Sequence, residues 1–561
     1  MSRVEVVARP AAGPRTRSRP STARLVGVLA AHSLQSFLRT PVAAFFTVIF
    51  PLSFLVIVGS SVRDQVITDH VYVSQVLVPS FAVFGVAMEA FCILPTGTAR
   101  LRESGVLKRL RGTPAPPGTV MAGRIAAAVV IGLASVAILA TVGVVGYHLQ
   151  IVWPKVPAAL VTLLLGIGCL AALGLAVVAL TRSVVAVQAL TLGILIPLSF
   201  ISGVFIVDAD LPPGLDALSR ALPLRHLADA LRGTFDPLTP GSGFAWGDLA
   251  VLTLWGVAGT AVALARFGWE PRLGERRRAA AGTFEPEASG GAPGGVPARA
   301  LTVTAQGRPR RSALLAVETR HAVVALFRNR SPLFFSIVFP VLLLLLFPAV
   351  FPGATAHGRP IADFMLPGAV VYAAAVAGYV NMTEQVAGAR AAGVVERVRA
   401  TPLPLSTYLS SQVLSAGLVS LATALALVGV AVTVNGSPVP GARLPGALAV
   451  VLLTTLCFSV LGLALLCVVP SIGTTTAITL GTLLPLTFVS DVFYLGPALP
   501  RALQVVGDVL PLKHAMYALL DVLSPAVPGL GDLWWHVAVV AAWTAAGALV
   551  VLRRWERALQ G

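Results

Sequence analysis

Charged side chains are scarce in this sequence. Only 12% of its 561 residues are Asp, Glu, Lys or Arg, whereas 56% are hydrophobic. Soluble domains carry about 25% charged residues, so this composition excludes an ordinary soluble domain. Long apolar runs of about 20 residues are typical of helices that cross a bilayer. Because backbone groups in lipid must be paired internally, these runs predict an all-α polytopic membrane protein.

The motifs of common enzyme sites are also missing. The sequence has no G-x-x-x-x-G-K-[ST] phosphate loop, no H-E-x-x-H zinc motif and no G-x-S-x-G nucleophile elbow. Its four cysteines, Cys92, Cys169, Cys457 and Cys467, lie inside apolar runs without metal-ligand spacing. We interpret them as small buried apolar residues. We therefore expect no catalytic site, no metal and no cofactor, and no ATP binding by this chain itself.

The net charge of +17 does not indicate a nucleic-acid-binding protein. The basic residues are confined to a few loops between apolar runs, and no aromatic residues are interleaved with them as a nucleic-acid surface would require. We therefore expect no nucleic-acid partner.

One basic segment occurs twice. Residues 102–114 read R-E-S-G-V-L-K-R-L-R-G-T-P, and residues 390–402 read R-A-A-G-V-V-E-R-V-R-A-T-P, with seven positions identical at an offset of 288. The same offset relates P-L-R-H at 223–226 to P-L-K-H at 511–514. A constant offset over such a distance indicates duplication and fusion of one unit.

The repeat divides the chain into four parts. We predict a disordered basic tail at 1–22, a first half at 23–267, a flexible linker rich in Gly, Pro and Arg at 268–311, and a second half at 312–561. Two repeats of six membrane-spanning helices are expected. The twelve predicted spans are 41–60, 73–95, 121–147, 157–180, 184–206, 248–267, 332–352, 364–386, 411–434, 446–469, 472–495 and 533–552.

The placement of Lys and Arg predicts the orientation of the spans. The first 40 residues hold seven Arg and one Glu, whereas residues 207–247 hold three Arg and five Asp. Basic loops face the cytoplasm, so both termini and the linker are predicted to be cytoplasmic and the two halves parallel. Residues 23–40 and 312–330 each predict an amphipathic helix in the membrane interface, with a cytosolic stalk helix as the alternative.

The duplicated basic segment is the best functional candidate. Gly105 or Gly393 can end the incoming helix, and the next turn presents two arginines. A short basic helix between two spans would form a rigid handle through which another protein could move the bundle. The alternative is that these arginines only set the topology. The residues assigned to coupling are Glu103, Arg109, Arg111, Thr113, Pro114, Glu396, Arg397, Arg399, Thr401 and Pro402.

Three acidic residues lie well inside predicted spans, namely Glu89, Glu384 and Asp491. Acids in such positions are functional candidates by default. None has an acid at the equivalent position of the other half, so a proton relay shared by both halves is absent. We interpret them as cavity-facing or hydrogen-bonded acids, with direct ion coupling as the alternative.

The order of these parts resembles the permease of ABC-2 type exporters, also called type V exporters. That family has an interfacial helix, six spans, a re-entrant extracellular hairpin before the sixth span, and a cytoplasmic coupling helix with a pattern like E-R-L-R-[GA]-T-P. This chain has L-K-R-L-R-G-T-P at 107–114 and V-E-R-V-R-A-T-P at 395–402. It looks like a fused tandem permease similar to actinobacterial drug and antibiotic exporters. Lys108 departs from the family's usual Glu, so the two contacts to the ATPase are not expected to be equivalent.

The resemblance implies a function and its partners. The chain would be the membrane component of an exporter in a bacterial cell membrane. It would work with two copies of a separate ABC ATP-binding subunit and move hydrophobic or amphipathic compounds, such as a drug, antibiotic or lipid-like molecule, outward between the halves. The candidate lining residues are Phe45, Phe46, Phe50, Phe84, Met88, Phe334, Phe335, Phe339, Tyr372, Tyr379 and Asn381, for which packing between helices or against membrane lipid is the alternative.

Two other functions remain open from the sequence. A proton-coupled secondary drug transporter also has two parallel six-span halves, but the G-x-x-x-D-[RK] loop pattern expected of it is absent. A non-transport membrane scaffold would not need a duplicated basic loop. A neighbouring gene for a lone ATPase would discriminate among the three.

Overall fold

The secondary structure is almost entirely helical. A computed structural model describes residues 21–68, 71–112, 117–205, 211–268, 311–328, 334–351, 353, 355–356, 359–401, 403–469, 472–493, 499–523 and 531–558. The predicted tail and linker therefore lie almost wholly outside the described residues.

The first repeat begins with a helix beside the bundle and ends with a long apolar helix. Its helices are α1 Thr22–Leu38, α2 Pro41–Ala44, α3 Phe50–Ser61, α4 Ser74–Ala87, α5 Leu94–Glu103, α6 Val106–Arg111, α7 Pro117–Gly146, α8 Val156–Leu180, α9 Val184–Ile201, α10 Pro213–Ala221, α11 Pro223–Phe235 and α12 Trp246–Arg266. Two π-helical segments, π1 Phe45–Ile49 and π2 Met88–Ile93, join α2 to α3 and α4 to α5. A short hairpin of β1 Val66–Thr68 and β2 Val71–Tyr72 follows α3.

The second repeat follows the same order. Its helices are α13 Arg311–Arg328, α14 Phe339–Val350, α15 Ile361–Ala375, α16 Thr383–Ala391, α17 Val394–Arg399, α18 Leu405–Thr433, α19 Leu444–Leu466, α20 Ile472–Val489, α21 Arg501–Val509, α22 Pro511–Leu523 and α23 Gly531–Ala558. The segments π3 Phe334–Val338 and π4 Val376–Met382 precede α14 and α16, and β3 Thr355–Ala356 pairs with β4 Arg359–Pro360. The π segments and the hairpin thus recur in both repeats.

Ten helical stretches in the described residues are long and apolar enough to cross a membrane. They are Pro41–Ser61, Ser74–Glu103, Gly118–Gly146, Trp153–Leu180, Val184–Ile201, Trp246–Arg266, Ile361–Ala391, Leu405–Thr433, Gly441–Leu466 and Leu533–Arg554. Two further apolar helices, Ser336–Ala349 and Thr474–Val489, are shorter and correspond to the first and fifth spans of the second half. An all-helical, multi-pass architecture is confirmed, whereas the count of twelve spans stays a prediction.

The two repeats share one apolar core. The segment from α2 to α3 packs on α20 of the other repeat, where the rings of Phe54 and Phe488 lie 4.1 Å apart. In a second contact between the repeats, the ring centroids of Phe200 on α9 and Phe347 on α14 lie 5.7 Å apart. The first span of each half therefore contacts the fifth span of the other.

A pair of short helices precedes the last span of each repeat. Leu222 is an extended residue between α10 and α11, and Pro223 fits the first turn of α11 because its missing N–H needs no partner there. The indole N–H of Trp255 on α12 donates to the carbonyl of Ala221, and that of Trp543 on α23 donates to the carbonyl of Val509. Each last span is thereby attached to the end of the first short helix of its pair, α10 or α21.

Candidate functional site

The duplicated basic segment forms the same structure in both repeats. α5 and α16 end before Gly105 and Gly393, whose φ angles of +71° and +67° lie in the left-handed region that glycine tolerates best. The predicted break at these glycines is confirmed. Leu107 of α6 and Val395 of α17 are buried, so one apolar side chain anchors each short helix to the bundle.

The charged side chains of the two short helices lie at the surface. Lys108, Arg109 and Arg111 are exposed on α6, and Glu396, Arg397 and Arg399 are exposed on α17. Lys108 and Glu396 are equivalent by the 288-residue offset, so the two surfaces carry opposite charges at one position. An apolar anchor below and several charges above give a surface that can contact another protein without disturbing the core.

The remaining predicted coupling residues fall into three groups. Thr401 donates to the carbonyl of Val398 at 2.7 Å and closes the turn after α17. Thr113, Pro114 and Pro402 lie outside the described residues. Glu103 lies near the basic surface, but its Oε1 accepts a hydrogen bond from the backbone N–H of Val184 on α9 at 2.7 Å.

The predicted substrate-path residues cluster within each repeat. The ring centroids of Phe50 and Phe84 lie 5.3 Å apart in the first repeat, and those of Phe339 and Tyr372 lie 5.4 Å apart in the second. The members that the structure buries are Phe45, Phe50, Phe84, Met88, Phe339, Tyr372 and Asn381, whereas Phe46 and Tyr379 are half-buried. The side chains of Phe334 and Phe335 lie outside the described residues.

The aromatic contacts between the repeats involve other residues. They are made by Phe54 with Phe488 and by Phe200 with Phe347, none of which stood among the predicted path residues. Phe200 and Phe488 are equivalent by the 288-residue offset, so the fifth span of each half contributes one ring to the interface.

A polar contact joins the π segments of the first two spans in each half. The hydroxyl of Thr47 in π1 donates to Glu89 in π2 at 3.3 Å. In the second half, the amide of Asn381 in π4 donates to Ser336 in π3 at 2.5 Å. π turns are frequent at functional sites, because the extra residue breaks the regular helix there. The contacts occupy similar places but differ in chemistry, with a carboxyl in one half and an amide in the other.

The three acids inside predicted spans each have a polar partner. Besides the contact of Glu89 with Thr47, Glu384 lies near the side chain of Thr476, and Asp491 accepts from the hydroxyl of Tyr517 at 3.1 Å. This agrees with their interpretation as hydrogen-bonded acids. Within the described part of the chain, no group of three or more potential metal ligands is found.

A further set of buried contacts was not expected from the sequence. The ammonium of Lys155 donates to the carbonyls of Gly233, Asp236 and Thr239 at 3.2, 2.6 and 2.7 Å, and so caps the end of α11. In the second repeat, Arg443 donates to the carbonyl of Val522 near the end of α22. Lys155 and Arg443 share the 288-residue offset, so a basic residue that recurs in both halves was the available signal.

Two copies of one helical unit and two equivalent basic surfaces define a duplicated, multi-pass membrane protein. A family model described as ABC-2 type transporter matches residues 24–235 and again residues 314–523, which together make up most of the chain. The chain therefore belongs to the ABC-2 type transporter family, as the resemblance in the sequence predicted. Such domains are the membrane components of ABC transporters, and membership implies an ABC-type ATP-binding partner. A search of the curated proteins found no match.

Proposed function

We propose that the chain is the membrane-spanning permease component of an ATP-driven exporter. It works with two copies of a separate ATP-binding subunit and moves hydrophobic or amphipathic compounds out of the cell. The observation that carries the proposal is the pair of equivalent short helices, α6 and α17, each with exposed arginines above a buried apolar anchor. A duplicated contact surface fits a duplicated partner.

The proposed mechanism starts at the two short helices. Closure of the ATP-binding subunits around nucleotide displaces α6 and α17, and the arginines Arg109, Arg111, Arg397 and Arg399 form the contact. Because only two residues, the second of them a glycine, separate each short helix from the preceding span, the displacement reaches α5 and α16 directly. The two halves then move relative to one another.

The proposed substrate path lies between the halves. The first and fifth spans meet there through the rings of Phe54, Phe200, Phe347 and Phe488. Aromatic side chains suit an amphipathic compound, because they offer large apolar surfaces without charge. The path residues predicted from the sequence flank this contact on the first two spans of each half.

The membrane arrangement belongs to the same proposal. The chain crosses a bacterial cell membrane twelve times, with both termini and the linker in the cytoplasm. α1 and α13 lie in the cytoplasmic interface, and the helix pairs α10–α11 and α21–α22 form re-entrant hairpins on the outside. The exposed side chains of Trp153 and Trp246, at the start of the fourth and sixth spans, support placing the extracellular face of the membrane there, because indole rings favour the interface.

The proposal is tested by reconstitution with purified subunits of the ABC ATP-binding partner. The chain alone in liposomes should hydrolyse no ATP, and the complex should hydrolyse ATP and accumulate ethidium, used as an amphipathic probe. An ATP-binding subunit lacking its catalytic glutamate is the control and should abolish both signals. Robust hydrolysis by the isolated chain, or probe accumulation driven by a proton gradient without ATP, would overturn the proposal in favour of another class.

A further inference from the structure

Two adjacent residues of opposite charge connect the basic surface of the first half to two other spans. Arg102 and Glu103 are the last residues of α5, directly before the glycine turn into α6. Arg102 is fully buried, and its guanidinium donates to the carbonyls of Val178 and Thr181 at 2.7 and 3.0 Å. These carbonyls lie at the end of α8.

Glu103 makes the complementary contact one residue later. Its carboxylate accepts from the N–H of Val184, the first residue of α9, at 2.7 Å. The C-terminal end of a helix carries partial negative charge and the N-terminal end partial positive charge. Arg102 therefore meets the negative end of α8, and Glu103 meets the positive end of α9. We call residues 180–184, where α8 ends and α9 begins, the α8–α9 corner. The two contacts hold both sides of this corner to the end of α5.

Apolar packing surrounds the same corner. Ala99 of α5, Val178 of α8 and Val187 of α9 form a small buried cluster. The end of α5 is thus held by packing and by three charge-assisted hydrogen bonds, and a separate movement of α5 would break these bonds, because they require short distances and defined directions. The corner and α5 are therefore constrained to move together.

The second half lacks one of the two contacts. Arg390 is equivalent to Arg102 and donates to the carbonyl of Leu466 at the end of α19 at 3.5 Å. The position equivalent to Glu103 is Ala391, which has no acceptor in its side chain. The carboxylate contact to the fifth span is therefore a property of the first half.

We propose that Arg102 and Glu103 are positioning residues that join α6 to the α8–α9 corner, so that the fourth and fifth spans of the first half move with α6 as one body. The inference rests on the proposed coupling function of α6. It assigns to Glu103 a contact within the chain, where the sequence alone predicted a contact to the ATP-binding subunit.

The test measures distances between spin labels in the reconstituted complex with its ATP-binding subunit. One pair, Gly112→Cys at the end of α6 with Val185→Cys, reports on α6 relative to α9. A second pair, Gly112→Cys with Ala392→Cys, reports on one half relative to the other. All three positions are exposed, and the half-buried native thiol of Cys467 is replaced by Ser. Distances are compared without nucleotide and with ATP trapped on a hydrolysis-deficient ATP-binding subunit.

Two variants cut the same hydrogen bond from opposite sides. Glu103→Ala removes the acceptor. Val184→Pro removes the donor and leaves the carboxylate in place, and proline fits the first position of a helix after the extended Ser183. The matched control is Ser183→Ala, which removes the hydrogen bond that caps Ala186 of the same helix but breaks no link to α5.

The proposal predicts how each of the two distances responds to ATP in each protein. ATP should change the distance between the halves in every protein, while the α6–α9 distance stays constant in the wild type and in Ser183→Ala. In Glu103→Ala and Val184→Pro the α6–α9 distance should change with ATP by more than about 2 Å, the upper end of ordinary helix shifts.

Three results would overturn the inference. These are an α6–α9 distance that changes with ATP in the wild type, one that stays constant in either cut variant, or a Ser183→Ala protein that behaves like the cut variants. The last result would reduce Glu103 to a helix cap. A wild-type complex whose inter-half distance ignores ATP would instead refute the proposed function itself, and the inference with it.

Discussion

Asp248 and His536 occupy equivalent positions in the two repeats. Each faces a histidine, His226 or His514, and these two histidines are also equivalent. Oδ1 of Asp248 lies 2.7 Å from Nδ1 of His226, whereas Nδ1 of His536 lies 2.8 Å from Nδ1 of His514. The other ring nitrogen of each partner, Nε2, faces a backbone carbonyl and so must donate. The first half can therefore form an ion pair here, and the second half forms a hydrogen bond between two imidazoles.

This difference predicts an asymmetric response to substitution. Asp248→His should lower the thermal stability of the purified protein, since it replaces a charge-assisted hydrogen bond that contributes about 1.5–3 kcal/mol. His536→Asp should raise it, because it introduces the pair already present in the first half. Thermal unfolding in detergent measures both, and shifts of the same sign for the two swaps would contradict the interpretation.

The exposed arginines predict a selective loss of partner binding. Replacing Arg109 and Arg111 together, or Arg397 and Arg399 together, with Ala should abolish transport and weaken retention of the ATP-binding subunit. Each charge-assisted contact at an interface can contribute about 1.5–3 kcal/mol, so two losses are severe. The measurements are pull-down of the ATP-binding subunit and probe efflux.

A double variant elsewhere controls for the loss of positive charge. Arg24 and Arg553 are also exposed but lie outside α6 and α17, so Arg24→Ala with Arg553→Ala should retain binding. Normal efflux and binding in both test variants would reduce their arginines to topology signals. Different severity in the two halves would reflect the opposite charges of Lys108 and Glu396.

The predicted topology can be tested by cysteine labelling in intact cells. A membrane-impermeant maleimide should not label Glu285→Cys in the linker, because basic segments remain in the cytoplasm. Ser242→Cys, in the exposed loop before α12, is the positive control and should be labelled. Both are made with Cys467→Ser, since the other three cysteines are buried. Labelling at Glu285→Cys without permeabilisation would invert the orientation.

Lys155 predicts a large effect on stability. Lys155→Met keeps the apolar stem but removes the donor to three carbonyls, and each buried acceptor left unsatisfied costs about 1–3 kcal/mol. A clear fall in thermal stability is expected. Lys155→Arg is the matched control and should be tolerated, because Arg443 has the equivalent role in the second repeat. A Met variant as stable as the Arg variant would refute the capping role.

The repeat makes much of this fold predictable. A constant offset along the sequence relates the basic helices α6 and α17, and the left-handed glycines follow from helix-breaking chemistry at Gly105 and Gly393. The order of the spans follows from their apolar lengths. The glycine breaks and the apolar lengths are local features that can be read from neighbouring residues, and the offset needs only a comparison of the sequence with itself.

The faces of the first two spans could not be predicted in the same way. π1, π2, π3 and π4 each interrupt the regular period of 3.6 residues, so spacing no longer shows which residues share a face. The predicted path residues form clusters within each repeat, whereas Phe54 with Phe488 and Phe200 with Phe347 make ring contacts between the repeats. The hydrogen bond of Glu103 could not be predicted either, because its partner is a backbone N–H 81 residues away.

Lys108 on α6 and Glu396 on α17 are exposed at equivalent positions, and their opposite charges affect which ATP-binding subunits can assemble with the chain. In the proposed complex, a dimer of identical ATP-binding subunits would present the same side chain to both positions, so a carboxylate that attracts Lys108 would repel Glu396. Fusion of the halves into one chain fixes one of each charge in every molecule. An identical pair of subunits would therefore meet one favourable and one unfavourable position. Two different subunits could each carry the charge that matches one position, and each would then bind one particular half of the chain.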